Sequence, residues 1–297
     1  MQPAAAERPR LTANTPPRQP PAVSADFKIL FLGSGTSAGV PMIACDCPVC
    51  TSPNPRDRRL RSSVYISAGG LKILVDTSPD FREQALRHDI RRIDHLLVTH
   101  AHVDHLFGLD DVRRVNTVQG APIPLYAAPE TLADIRRIFD YIFHDAVPGT
   151  FRPKLLMNAV SGPFSLKAPD GGEVSVTPVD SIHGWTRTLG YIFEYAGRRF
   201  GYVPDCHELP AASRDAMGGL DLLAIDCLKR RPHPTHLSLA EALAIVGDLR
   251  PRRVLLTHIG HDFGHDALSR EVLERGFGNV SPAFDGLLFD MAREFAE

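Results

Sequence analysis

The stretch Thr99-His100-Ala101-His102-Val103-Asp104-His105 follows directly on the apolar run Leu96-Leu97-Val98. It places four side chains of metal-binding type within six consecutive residues, namely His100, His102, Asp104 and His105. Imidazole and carboxylate groups bind zinc and related cations, and crowding them costs solvation and mutual repulsion unless a cation lies among them. The stretch therefore predicts a metal site at the end of a strand.

Side chains of an extended chain alternate between two faces, so the spacing predicts that His100, His102 and Asp104 share one face. His105 can turn away where a helix begins, and such a layout suits two adjacent metal ions. The alternative is a polar loop whose histidines are solvated. The density of ligand-type residues favours the metal site.

Three further ligand-type side chains come where an apolar run ends, a position at which the core can hold a ligand rigidly. These are His183, Asp205 and His258. Other histidines lack this setting, and surface or hydrogen-bonded roles are predicted for His88, His95, His144, His207 and His265.

On these residues the chain resembles the metallo-beta-lactamase-fold hydrolases, whose His-x-His-x-Asp-His signature matches positions 100–105. The resemblance covers residues 26–297 and implies an α/β fold, a four-layer αββα sandwich with metals at one edge between two sheets. It also implies the ligand sets. One metal would be bound by His100, His102 and His183, the other by Asp104, His105 and His258, with Asp205 bridging the two.

The implied pair of divalent cations, zinc or manganese, points to hydrolysis. Two cations lower the pKa of a shared water, so that metal-bound hydroxide is available near neutral pH, and they neutralise charge on a phosphoryl or carbonyl oxygen. Open coordination positions indicate a catalytic rather than a structural site. Asp76 resembles a family aspartate that orients the ligands by hydrogen bonding, and a strand-end turn cap is the alternative.

A second metal signature is Cys45-Asp46-Cys47-Pro48-Val49-Cys50, with three thiols within six residues. Thiolates at this spacing are typical of a tetrahedral zinc site, for which Cys45, Cys47 and Cys50 require a fourth ligand. His261, three residues after His258, is predicted to supply it. A disulfide and reduced, non-functional thiols are the alternatives. Cys206 and Cys227 stand alone in apolar contexts typical of inert buried cysteine.

The segment from Gly33 to Pro41 leads into the cysteine loop, and the whole arrangement resembles the phosphodiesterases of the carbon-phosphorus lyase pathway and their close relatives. In those proteins the matching cysteines and a histidine placed like His261 bind a structural zinc. Coenzyme-PQQ biosynthesis proteins share a related glycine and cysteine segment, so this segment is compatible with either activity.

His236 lies just before a predicted amphipathic helix, Leu239 to Leu249, where it can point into a cleft. In the phosphodiesterases the corresponding histidine is a general acid for the leaving oxygen. Protonation by a histidine suits an alkoxide, which is a poor leaving group. A capping or surface histidine is the alternative, and it is the better description of His233. His236, Asp104 and Asp205 are therefore the predicted catalytic residues.

Length and composition bear on the number of domains and on the compartment. A chain of 297 residues with 43% hydrophobic content can bury a large core, and one domain is predicted over residues 26–297. Residues 1–25 are rich in proline and alanine and are predicted to form a disordered tail. Neither a signal peptide nor a membrane span is indicated, so a cytoplasmic protein with no membrane partner is expected. A helix is predicted from Pro129 to Tyr141.

A formal charge of −2 makes nucleic acid an unexpected partner. Two cationic groups could still meet a substrate phosphate, although solvated loops are the commoner reason for such runs. They are Arg56, Arg58, Arg59 and Arg61 after the cysteine loop, and Lys229, Arg230 and Arg231 before His236.

The leading hypothesis is a phosphodiesterase for a small cyclic phosphate. By resemblance the substrate is 5-phosphoribosyl 1,2-cyclic phosphate, converted to ribose 1,5-bisphosphate in phosphonate metabolism. A tRNA 3′-processing nuclease ranks lower, because no long Gly/Lys-rich insertion is present. A non-catalytic metal-binding or carrier protein, similar to the coenzyme-PQQ biosynthesis proteins, is the alternative from a different class. A homodimer is an allowed assembly.

Overall fold

The computed structural model describes residues 26–145 and 148–296. Fourteen strands of this part of the chain form two seven-stranded sheets. The first sheet has the order β14 (Leu288–Asp290), β1 (Phe27–Gly33), β2 (Ser63–Ala68), β3 (Leu71–Val75), β4 (His95–Leu97), β5 (Ile123–Ala127), β6 (Leu155–Ala159). The second has the order β13 (Val280–Pro282), β12 (Arg253–Thr257), β11 (Leu222–Asp226), β10 (Arg198–Val203), β9 (Thr186–Tyr195), β8 (Glu173–His183), β7 (Phe164–Lys167).

Both sheets are mixed. Strands β3 to β6 are parallel neighbours in the first sheet, and β10 to β13 are parallel neighbours in the second. The helices are α1 (Phe81–Arg87), α2 (Val103–Leu106), α3 (Val112–Gln119), α4 (Pro129–Ile138), α5 (Ala211–Ala216), α6 (Leu239–Leu249), α7 (His265–Glu274) and α8 (Met291–Glu294). Short 3-10 helices span Pro55–Asp57, Leu109–Asp111 and Asp140–Ile142.

Three hydrophobic clusters separate the layers. One lies between the sheets, the second packs the second sheet against α6 and α7, and the third packs the first sheet against α1, α3 and α4. Alternation along β11 shows why. Leu222 and Ala224 face the cluster between the sheets, whereas Leu223 and Ile225 face the helices, because successive strand residues point to opposite faces. The layers are therefore α, β, β and α, which confirms the predicted four-layer sandwich.

Two helix predictions can be compared with the structure. The helix predicted from Leu239 to Leu249 has these bounds, and Ser238 and Glu241 form a capping box at its start. The helix predicted from Pro129 to Tyr141 is shorter and ends at Ile138, because Phe139 leaves helical geometry.

The predicted tail, residues 1–25, lies outside the described residues. Within the described ranges, no helix has both the length and the apolar character needed to cross a bilayer.

Candidate metal centre and active-site pocket

Strand ends at one edge of the sandwich carry the predicted ligands. His183 is the last residue of β8, His258 follows β12, and Asp205 lies two residues beyond β10. The stretch after β4 departs from the predicted extended form: α2 begins at Val103, so Asp104 lies in a helical turn rather than on the same extended face as His102. This change of backbone divides the motif between two clusters.

The first cluster consists of His100, His102 and His183, whose ring centroids lie 4.4 to 5.2 Å apart. Nδ1 of His183 is 2.7 Å from the carbonyl oxygen of Thr235, which only accepts, so this nitrogen donates. Burial lowers the pKa of His183. The neutral ring therefore leaves Nε2 as an acceptor, 3.2 Å from Nδ1 of His102.

The second cluster consists of Asp104, His105, Asp205 and His258, all buried. Nε2 of His105 lies 3.0 Å from Oδ1 of Asp205 and 3.3 Å from Oδ2 of Asp104. Nε2 of His258 lies 3.4 Å from the same oxygen of Asp104. Burial lowers the pKa of His105, but the carboxylates of Asp205, Asp104 and Asp76 outweigh it and raise that pKa well above its usual value. The cluster thus favours positive charge at its centre.

Asp205 lies between the two clusters. Its Oδ2 atom is 3.6 Å from Nε2 of His183, 3.9 Å from Nε2 of His100 and 3.5 Å from Nε2 of His258. One carboxylate oxygen therefore faces ring nitrogens of both sets, as a ligand shared by two cations would.

Buried polar atoms of the two clusters that lack a hydrogen bond indicate whether cations would fit there. Within the described residues, Nε2 of His100 is buried without a hydrogen-bond partner, and Nε2 of His105 and Oδ1 of Asp205, although 3.0 Å apart, do not meet with hydrogen-bond geometry. Such atoms are costly in a folded protein unless a water or a cation satisfies them, and ring nitrogens beside carboxylates favour a cation. The donor set is nitrogen and oxygen, which suits zinc or manganese. The residues present fit two divalent cations.

Asp76 orients this centre. Its Oδ2 atom lies 2.7 Å from Nδ1 of His105, and its Oδ1 atom accepts a 2.8 Å hydrogen bond from the Thr99 amide. A carboxylate partner fixes the ring so that Nε2 faces the centre, as in many metal sites. Asp76 and His258 both have left-handed backbone angles, with φ of 65° and 55°. Such strain persists where the surroundings enforce it, commonly at functional sites.

His236 reaches the same place from the loop before α6. Its ring stacks on His258 with centroids 4.7 Å apart, and its Nε2 atom is 4.0 Å from Oδ2 of Asp205. Nδ1 of His236 lies 2.7 Å from Oδ2 of Asp226, a residue that the sequence analysis missed. Oδ2 of Asp226 also accepts a hydrogen bond from the Cys206 amide. The carboxylate is therefore positioned by the backbone and in turn positions His236.

Burial lowers the pKa of His236 to about 4, and the charge of His258 adds to this effect. With this pKa the ring is neutral at neutral pH. Because Nδ1 donates to Asp226, the lone pair of Nε2 faces the centre and the cavity beside it.

A cavity of about 330 Å³ opens beside both clusters. His102, Asp104, His183, Asp205 and His236 line it, together with Ser37, Gly184, Trp185, Thr186 and Thr235. A small molecule in this space can thus reach both clusters and His236. None of the seven arginines and lysines singled out in the sequence lines the cavity.

Cys45, Cys47, Cys50 and His261 form a separate cluster. Nδ1 of His261 is 3.2 Å from Sγ of Cys45, 3.5 Å from Sγ of Cys47 and 3.7 Å from Sγ of Cys50. A hydrogen bond from the Cys50 amide lowers the pKa of Cys47 to about 6, and burial raises the pKa of Cys50 to about 11. The chain's five cysteines are unbridged. Three thiols and an imidazole fit tetrahedral zinc.

Arg59 holds this cluster against the core, which corrects its description as a solvated or phosphate-contacting residue. The side chain is buried and its Nη2 atom donates to the carbonyl oxygen of Phe263 at 2.8 Å and approaches Asp57 at 3.3 Å. Its Nη1 atom donates to the carbonyl oxygen of Gly260 at 3.4 Å. Arg59 thereby fixes the backbone on both sides of His261.

The other histidines named in the sequence analysis lie outside the clusters of metal-ligand type. Among the described residues, none of His88, His95, His144, His207 and His265 joins a cluster of metal-ligand type. His233 does not join one either, and its Nδ1 atom lies 3.2 Å from the Thr235 hydroxyl.

The chain is similar in sequence and structure to known proteins with metal-type sites of this fold. Residues 72–259 match the model of the beta-lactamase superfamily domain. A new diphosphatase from the PhnP family, known from its crystal structure, has 39% sequence identity to this chain. The two structures superpose with a TM-score of 0.78, over 89% of this chain and 97% of that one.

Two curated relatives are also similar. Coenzyme PQQ synthesis protein B of Methylobacterium nodulans is 32% identical over 67% of this chain and 72% of its own length. An octanoyltransferase of Porphyromonas gingivalis is 34% identical over 88% of this chain, which spans only about half, 51%, of that protein.

Proposed function

The chain belongs to the beta-lactamase superfamily, and from that premise we propose that it is a metal-dependent phosphodiesterase. The observation that carries the proposal is the position of Asp205 Oδ2. This oxygen lies within 4.0 Å of ring nitrogens from both clusters and of Nε2 of His236, at the wall of one cavity. The similar diphosphatase, with 39% sequence identity, supports hydrolysis at a phosphoryl group over other hydrolyses.

The ligand-type residues fall into two groups, one for each proposed cation. His100, His102 and His183 would hold one cation, and Asp104, His105 and His258 the other, with Asp205 between them. When bound, two cations would lower the pKa of a shared water and neutralise charge on the phosphoryl oxygens. A further zinc would be held by Cys45, Cys47, Cys50 and His261.

His236 would supply the proton for the leaving oxygen. Asp226 retains the proton on Nδ1, so the proton that is transferred must occupy Nε2, the atom on the cavity side. As a general acid the ring must carry that proton in the complex with substrate, where the negative charge of the phosphoester favours the charged ring. Transfer to an alkoxide then removes the need for a strongly basic oxygen to leave unprotonated.

The substrate in this proposal is a cyclic phosphate on a ribose, with 5-phosphoribosyl 1,2-cyclic phosphate as the reference compound. Water adds its oxygen to phosphorus, the bond from phosphorus to the ribose 2-oxygen breaks, and that oxygen takes a proton. The product is ribose 1,5-bisphosphate. The proposal includes a reducing compartment such as the cytoplasm, because the cysteine cluster requires thiolates.

A substrate panel tests the proposal. Metal-loaded protein is incubated with cyclic and linear phosphodiesters, a phosphomonoester and a precursor tRNA, and the products are followed by phosphorus NMR and gel electrophoresis. Hydrolysis of small diesters by the wild type, but not by Asp205→Ala, is expected.

Cleavage of tRNA alone would favour the processing nuclease. Metal binding without turnover of any phosphoester would favour the carrier similar to the coenzyme-PQQ biosynthesis proteins.

A further inference from the structure

The ring of His102 lies between His183 and Thr186. Its Nδ1 atom is 3.2 Å from Nε2 of His183, and its Nε2 atom is 3.2 Å from the hydroxyl oxygen of Thr186. A neutral imidazole has one nitrogen with a lone pair and one nitrogen with a hydrogen. When Nδ1 of His102 supplies its lone pair to a cation shared with His183, the hydrogen lies on Nε2, and the Thr186 hydroxyl can accept it.

Burial does not hold the His102 ring in place. His100 and His183 have relative accessibilities of 0% and 4%, whereas His102 is exposed. The backbone of His102 is fixed at the start of α2, where its carbonyl oxygen accepts a hydrogen bond from the His105 amide at 3.1 Å. The ring can still turn about its side-chain bonds. Of the residues that the structure describes, Thr186 is the one outside the clusters that hydrogen-bonds this ring.

The hairpin of β8 and β9 places Thr186 at the distance that this contact needs. Thr186 is the first residue of β9 and pairs with His183, the last residue of β8, across the turn of Gly184 and Trp185. Gly184 has a left-handed φ of 61°, and a Cβ atom there would lie 3.1 Å from Cγ2 of Thr235. The hairpin that delivers one ligand of the first cluster therefore also delivers the hydroxyl that faces another.

The hydroxyl of Thr186 can be removed without disturbing the strand. The residue is half-buried at the cavity wall, and within the described part of the chain the ring of His102 is the sole hydrogen-bond partner of its hydroxyl. Valine has nearly the same shape as threonine and is equally suited to a strand. Thr186→Val is therefore expected to change the contact with His102 and to leave the hairpin intact.

Resting on the metal centre of the proposed function, we propose that Thr186 is a positioning residue: its hydroxyl orients His102 through Nε2 and thereby directs Nδ1 towards the cation of the first cluster. Partners of this kind fix the tautomer and the direction of a ligand, and loss of one typically lowers metal affinity about 10- to 100-fold. The effect should be confined to the cation of the first cluster, because Thr186 contacts a ligand of that cluster.

Competition with a chromophoric chelator tests the proposal without any substrate. The chelator-treated full chain, which retains the zinc of the cysteine cluster, is titrated with Zn²⁺, and the two binding steps of the centre are resolved. Thr186→Val should weaken one step about 10- to 100-fold and leave the other unchanged. Thr186→Ser, which retains the hydroxyl, should bind both cations as the wild type does. Thr117→Val, which removes an exposed hydroxyl from α3, is the matched control.

Unchanged affinity in Thr186→Val, or equal weakening of both steps, overturns the proposal. A loss in Thr186→Ser as large as that in Thr186→Val overturns it as well, because the hydroxyl would then not be the group that matters.

A double variant shows whether Thr186 acts through His102. His102→Ala should weaken the same binding step, and adding Thr186→Val to it should cause no further loss, since no ring remains for the hydroxyl to orient. A further loss of affinity in the double variant overturns the positioning role.

Weaker binding by Thr186→Val in a protein that hydrolyses no phosphodiester would overturn the proposed function and leave the positioning role standing. Phosphodiester hydrolysis with cation affinity unaffected by Thr186→Val would overturn the positioning role alone.

Discussion

Nδ1 of His236 lies 2.7 Å from Oδ2 of Asp226, and both side chains are buried at the wall of the metal-type centre. The contact fixes which nitrogen of the ring can exchange a proton with a substrate. With Nδ1 occupied, Nε2 faces the cavity at 4.0 Å from Asp205. In the proposed mechanism the pair would separate proton donation from the activation of water, so the two functions can be tested separately.

Replacing His236 by alanine should lower turnover of a diester with an alkoxide leaving group by about 100- to 10,000-fold, the usual contribution of a general acid. The loss should be much smaller for a nitrophenyl ester, whose leaving group needs no proton. Steady-state kinetics on the two substrates, with metal content measured in parallel, check this. His233→Ala, the neighbouring histidine outside the clusters, serves as the matched control. Equal losses on both substrates, or loss of a metal, would show that His236 is a binding residue or a ligand.

Asp226→Asn should reproduce a part of this effect, about 10- to 100-fold, because Asp226 acts only through the orientation and tautomer of His236. The loss should again be confined to poor leaving groups. Combining it with His236→Ala should cost no more than His236→Ala alone, since the two residues act as one unit. Additive losses in the double variant would mean that Asp226 acts independently of His236.

Asp205→Ala should reduce the content of both cations in the centre and abolish turnover, because Asp205 is the carboxylate that faces both clusters. The zinc of the cysteine cluster should remain, so elemental analysis should fall towards one metal per chain. Loss of a single cation from the centre would contradict the shared position.

Cys47→Ser should remove the cysteine-bound zinc and lower the melting temperature by about 5 °C or more, since metal binding at such a site is coupled to loop order. Asp46→Asn, an exposed neighbour in the same loop, is the control and should change neither quantity. A Cys47→Ser protein with unchanged zinc content and melting temperature would refute a structural zinc.

Local patterns account for most of the fold and for the ligand positions. The His-x-His-x-Asp-His motif and the ends of apolar strands pointed to His183, Asp205 and His258 because each depends only on neighbours in sequence. Asp226 satisfies the same strand-end rule, closing a strand that is otherwise apolar, and was recognisable from the sequence on that ground. The contact of Asp226 with His236 was not recognisable, because His236 lies ten residues further along the chain, across a loop.

The burial of Arg59 could not be predicted from the local sequence. Its sequence surroundings, a run of arginines after the cysteine loop, are typical of a solvated segment. The side chain is buried because its partners, the carbonyl oxygens of Gly260 and Phe263, lie 201 and 204 residues further along the chain. Trp185 is similar, since only the folded hairpin places it at the cavity. Long-range contacts of this kind leave no local pattern.

The central claim is that cations held by the His and Asp clusters confer phosphodiester hydrolysis. The most direct measurement is a titration of chelator-treated protein with Zn²⁺ or Mn²⁺, in which bound metal and hydrolysis of a cyclic phosphodiester are determined in the same samples. We predict no turnover in the metal-depleted protein and a rise that saturates when two cations per chain occupy the centre, beyond the zinc retained by the cysteine cluster. Turnover that persists without cations, or full occupancy without hydrolysis of any phosphodiester, would contradict the account.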